Sequence, residues 1–156
     1  MVVRIAIAVL LASLAAGAGR TGSAATAASC VLTPVSAKPP NAWMGTLSNH
    51  WLRSGTLWMG YTRADHAFVA RPNGQKIPWY RAAGSPWGRL RVTGSRIDAL
   101  AAPLRFSTPA TYPFRLGFQS SSMTFSSEGC WRIVARVGLA KRFVFVVRVE
   151  PDDGRL

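Results

Sequence analysis

The sequence is short of the residues that usually carry chemistry. It has 6 acidic side chains against 19 basic ones, with two histidines and two cysteines in 156 residues. His50 and His66 have no second histidine or acid at metal-ligand spacing; Asp65 adjoins His66, and neighbours on a strand face opposite sides. No metal and no cofactor are expected. Ser85 in Gly84-Ser-Pro-Trp-Gly88 stands at the wrong position for a nucleophile elbow, and the α/β setting of that motif is missing. Three of the six acids, Glu150, Asp152 and Asp153, belong to a polar tail where solvation is expected. Asp98 is expected to pair with Arg96 or to cap a turn. Beyond the N-terminus no segment sustains a 3.6-residue period, which excludes a helical bundle, and there is no internal repeat.

What is present begins with an apolar N-terminus. Arg4 precedes the run Ile5 to Ala16, and small residues follow at Ala16-Gly-Ala18 and Ala25-Thr-Ala27. That is the order of a secretory signal, and the run falls short of the ~20 apolar residues that span a bilayer. The expected organisation is a signal peptide over 1–27, an extended proline-containing lead-in over 28–48, one domain over 49–150 and a polar tail over 151–156. Without the signal the chain keeps 17 basic and 6 acidic side chains, a net charge of about +11. Such a balance favours polyanions, namely nucleic acid, acidic envelope polymers or anionic lipid headgroups. The arginines are spread along the chain, so a solvated basic surface is the plainer alternative.

The domain reads as all-β. In Gly129 to Gly138, Trp131, Ile133, Ala135 and Val137 share one face while Cys130, Arg132, Val134 and Arg136 share the other. In Arg142 to Val149, Phe143, Phe145, Val147 and Val149 oppose Arg142, Val144, Val146 and Arg148. Period-two alternation with charge on one side is a half-buried antiparallel hairpin. Upstream, strands are expected over 55–61 and 66–70, with a hairpin turn at Asn73-Gly74. A short one follows over 77–81, confined to an edge or a strand start by Pro78. Gly88 to Gly94 alternates, with Leu90 and Val92 inward and Arg89, Arg91 and Thr93 outward. Weaker candidates lie over 103–106 and 115–118, and 122–126 leads into the closing hairpin. Seven to nine short strands with turn signals about every ten residues predict an immunoglobulin-like antiparallel β-sandwich.

Two cysteines in an exported chain predict a Cys30–Cys130 disulfide. It would tether the lead-in along the outside of the sandwich, because Cys130 is out of phase with Trp131. A lipid anchor on Cys30, after Ala27-Ala-Ser, is the competing reading, and the two exclude each other.

The chain resembles an uncharacterised family of bacterial exported proteins with an immunoglobulin-like domain. The most specific element is Phe125-Ser-Ser-Glu-Gly-Cys-Trp131 with Ala135, Gly138 and Phe145-Val146. Leu57-Trp58, Trp79-Tyr80-Arg81, Gly88 to Gly94, Asp98 with Pro103-Leu104, and Gly117-Phe-Gln119 support it; Tyr112-Pro113 departs from a Gly-rich turn. The resemblance implies export, the sandwich and the long-range cysteine pairing, and it implies no catalysis.

Function is then expected to be non-enzymatic binding at the cell envelope or outside the cell. The partner would be a protein or an anionic envelope polymer, with no intracellular nucleic acid and no transmembrane anchor. Candidate binding residues are Trp79, Tyr80, Trp87, Arg89, Arg91, Arg132 and Arg136, with Arg148 as a further cation, since exposed aromatics beside arginine suit stacking and protein hot spots. Trp131 and Trp58 are expected to pack. A small envelope-polymer hydrolase or lyase would instead need Asp98, Trp79 and Tyr80 to converge.

Overall fold

The computed structural model describes residues 30–35, 38–61, 68–109 and 117–154. The expected signal peptide, His66 and Tyr112-Pro113 lie outside the described residues. Among these residues one helical turn, α1 (Ala42–Gly45), precedes nine strands: β1 (Trp51–Ser54), β2 (Leu57–Gly60), β3 (Phe68–Val69), β4 (Gln75–Arg81), β5 (Leu90–Arg96), β6 (Arg105–Ser107), β7 (Gly117–Thr124), β8 (Gly129–Val137) and β9 (Phe143–Glu150). They form a five-stranded sheet, β1-β2-β4-β7-β6, packed on a four-stranded sheet, β3-β9-β8-β5. The pairs are antiparallel except β3 with β9. Strands β2-β4-β7-β6 repeat the A-B-E-D order of an immunoglobulin sheet, and β5-β8-β9 repeat C-F-G.

The closing hairpin builds the centre. Trp131, Ile133, Ala135 and Val137 of β8 and Phe143, Phe145, Val147 and Val149 of β9 are all buried. From the opposite sheet Leu52, Leu57, Met59, Ile77, Trp79 and Met123 meet them. Trp131 donates its indole N–H to the Ser127 carbonyl at 3.1 Å and sets its ring edge-on to Phe125 at 5.3 Å.

The outer face of the five-stranded sheet carries a second, smaller core. Met44 of α1 closes over Trp51 and Trp58, with Tyr80 and Phe118 at the margin. Trp58 is therefore packed, as expected, but on the outside of the sandwich. Asn41 caps α1, its side chain accepting from the Met44 amide at 2.9 Å, so the lead-in is not extended throughout.

Three expectations need correction. The turn at Asn73-Gly74 forms, but it joins β3 to β4 across the two sheets and makes no hairpin. Pro78 sits in β4, which lies between β2 and β7, instead of at an edge. It is tolerated because the β2 ladder stops at Met59–Trp79, one residue short of it. Gly60 leaves the space above, where a Cβ would fall 2.9 Å from both the Pro78 ring and Trp51. Finally, the strand expected over 55–61 is β2 alone, and an additional strand, β1, joins it in a hairpin around Gly55.

The disulfide is present, with Cys30 and Cys130 Cα atoms 5.7 Å apart. It consumes the thiol that a lipid would need. A bridge of this kind belongs to an oxidising, extracytoplasmic compartment. Cys130 lies on the outer face of β8, as its phase requires, and is 2% exposed beneath the incoming chain. The lead-in does not run along the outside. Thr33 crosses to the edge of β9, donating its amide to the Val146 carbonyl at 3.0 Å and accepting the Val146 amide on its hydroxyl at 2.8 Å. Val35 then packs against the main core.

Candidate binding surface

The sequence-predicted residues separate when the sheets form. Trp79 is fully buried between the sheets, its indole donating to the Ser121 hydroxyl at 2.8 Å. It is a core residue, which corrects the expectation that it binds. Tyr80, its neighbour, faces the other side of the same strand and is half-buried in the small outer core. Asp98 lies by the other sheet. It accepts from the Arg96 guanidinium at 2.6 Å and from the Cys130 amide at 3.1 Å. The convergence that a hydrolase would require is not made.

The arginines do come together, on the outer face of the four-stranded sheet. Arg91 of β5 stands directly opposite Arg136 of β8. Arg142 precedes β9, one step beyond the Ala135–Phe143 pair, and so continues the row. The three line a single shallow cleft of about 390 Å³ with Thr93 and Val134. Arg132 lies two rows along, between Ser95 and Val146, and Arg148 lies opposite Cys130. Arg89 is exposed at the start of β5.

Among the described residues no hydrogen bond or ion pair engages the guanidiniums of Arg91, Arg136 or Arg142. Like charges directly opposite across a strand pair destabilise it. Arg91 has a protective use, because β5 is an edge strand and a charge there discourages strand addition. That account does not extend to Arg136, on an interior strand. The row sets three guanidinium groups side by side in one cleft. Arg142 was legible in the strand phase of the hairpin, but its place beside Arg91 required the cross-strand register.

The acids are collected elsewhere. Asp98, Glu128, Glu150 and Asp153 line a cleft of about 580 Å³ beside the disulfide, and Asp152 sits 3.4 Å from Arg71. These five are all the acids among the described residues. They cluster where β8 begins and β9 ends, and the arginine row crosses where β8 ends and β9 begins. The eight steps from Gly129 to Val137 separate the two ends by about 26 Å at ~3.3 Å per residue. Among the described residues no group of acids, histidines and cysteines is arranged to hold a metal ion.

One device at the basic end escapes sequence reading. Arg81 is 1% exposed. Its guanidinium donates to the Gly88 carbonyl at 3.0 Å and to the Pro86 carbonyl at 2.6 Å, the two carbonyls that flank Trp87. Among the described residues its Nε has no hydrogen-bond partner, and burial pushes its pKa down. Trp87 itself is 76% exposed. A buried cation thus fastens the loop from inside while the indole is displayed outside.

Comparison with protein-family models, with curated proteins and with solved structures returns no match to this chain.

Proposed function

We propose that the chain works outside the cytoplasm as a non-enzymatic binding module whose arginine row holds an anionic polymer of the cell envelope. The observation that carries the reading is the row itself: Arg91, Arg136 and Arg142 side by side, with no carboxylate among the described residues engaging them. A polyanion supplies the missing counter-charge and relieves the repulsion along the row. The signal-like residues 1–27 and the disulfide support the extracytoplasmic setting. The resemblance to exported immunoglobulin-like proteins points the same way.

The test is retention of the purified mature protein on envelope fractions, followed by elution with salt. Retention that is lost as salt rises, and that the Arg91→Gln, Arg136→Gln, Arg142→Gln triple variant lacks, is the expected result. Retention independent of salt, or equal in the triple variant, contradicts it.

A further inference from the structure

The basic end also carries two strongly exposed apolar side chains. Trp87, in the loop before β5, is 76% exposed, and Leu139, in the turn between β8 and β9, is 96% exposed. The two turns are locked together. Gly88 has φ +129°, and a Cβ on it would lie 2.6 Å from the Gly138 Cα; Gly138 has φ +51°, and a Cβ on it would strike the Trp87 carbonyl. The Gly138 amide donates to the Arg89 carbonyl at 3.1 Å. Together with the Arg81 clasp, this closeness fixes Trp87 and Leu139 as neighbouring projections of one rigid tip.

The charges around the tip have one sign. Arg89, Arg91, Arg136, Lys141 and Arg142 flank it, and every described acid lies at the other end of the sheet. Scattered exposed apolar residues are ordinary, and so is a basic face. The combination is specific: an indole and a leucine projecting beyond a collar of guanidinium and ammonium groups on a pre-ordered support. Indole rings settle at the headgroup level of a bilayer, aliphatic side chains enter the acyl boundary, and cations meet anionic headgroups.

We propose that this tip docks peripherally on an anionic lipid surface, with Trp87 and Leu139 inserting and the surrounding cations contacting headgroup phosphates. The charge asymmetry orients the molecule, with the disulfide and the acids held away from the lipid. Pre-ordering by Arg81, Gly88 and Gly138 removes the cost of arranging the loops at the moment of contact. The proposal rests on the anion-binding reading above and gives it a lipid partner at the neighbouring edge of the same row.

The experiment is co-sedimentation of the mature protein with phosphatidylglycerol/phosphatidylcholine vesicles and with pure phosphatidylcholine vesicles, beside binding to soluble heparin. Binding is expected to the anionic vesicles and not to the neutral ones. Trp87→Ser and Leu139→Ser should each weaken vesicle binding by on the order of tenfold while leaving heparin binding unchanged. Each arginine of the row changed to Gln should cost about fivefold on vesicles and should weaken heparin as well. Vesicle binding that is absent, or unchanged in Trp87→Ser and Leu139→Ser, overturns the lipid proposal. If heparin binding persists in that case, the polyanion reading survives and the tip is left as a surface for a protein partner. Failure on both ligands overturns both.

Discussion

At the scale of single residues, Arg81 inside the fold and Asp98 at its surface show what a single polar group can hold. Arg81 holds the loop with a buried guanidinium whose hydrogen-bond partners among the described residues are two carbonyls. Lysine cannot span both acceptors from one planar head, and methionine fills the volume but makes neither bond. Arg81→Met is expected to destabilise by about 2–3 kcal/mol, because charge-assisted bonds of ~1.5–3 kcal/mol each are lost and part is regained by burying methylenes. Hydrogen exchange should localise the loosening to residues 82–88, and an unchanged exchange rate there contradicts the clasp. Asp98 reports through pH. The Arg96 hydrogen bond, with the Cys130 amide helping, holds its carboxyl below the usual carboxylate range against some desolvation. A depressed folded pKa contributes stability that is fully present above the unfolded value of ~3.9 and is lost as pH falls through the lower folded value. The melting-temperature gap between the wild type and Asp98→Asn should be constant above about pH 5 and close below about pH 4. A gap independent of pH sinks this assignment.

At the scale of elements, the closing hairpin was readable because each of its strands alternates for its whole length, and burial on one side leaves only one phase possible. The same alternation predicted that Cys130 turns away from Trp131, and the disulfide lies on the outer face that this phase gives it. Trp79 and Tyr80 were harder. Adjacent strand residues must face opposite ways, but two large aromatics give no hint of which goes in. A sheet with an apolar patch on both faces, as here beneath α1, removes the usual contrast. β1 was hidden for that reason: Trp51 and Leu52 are both buried, on opposite faces, so Trp51-Leu-Arg-Ser shows no alternation. The route of the lead-in was illegible because Thr33 completes β9 with one residue and no strand pattern. Breaking the bridge tests the element it holds. Cys130→Ser should lower the melting temperature, with up to about 4.7 kcal/mol at stake for a separation of 100 residues, and expose residues 30–45 to proteases. Far-UV circular dichroism should remain β-like, since the core between the sheets is untouched. Collapse of the β signal shows instead that the edge is part of the folding unit.

At the scale of the whole molecule, the central feature is segregation of charge along the four-stranded sheet, with the arginine row at one end and the described acids at the other. The composition disclosed the excess of arginine, yet it could not show that Arg91, Arg136 and Arg142 form a row, because three separate stretches of chain contribute them. The most direct test uses a short DNA duplex purely as a polyanion of known charge spacing. Affinity is measured across a range of salt concentrations for the wild type and for the Arg91→Gln, Arg136→Gln, Arg142→Gln variant. The account predicts that the logarithm of affinity falls linearly with the logarithm of salt, and that the slope becomes shallower by roughly 0.9 for each cation removed. Equal slopes and equal affinities in the two proteins would contradict it.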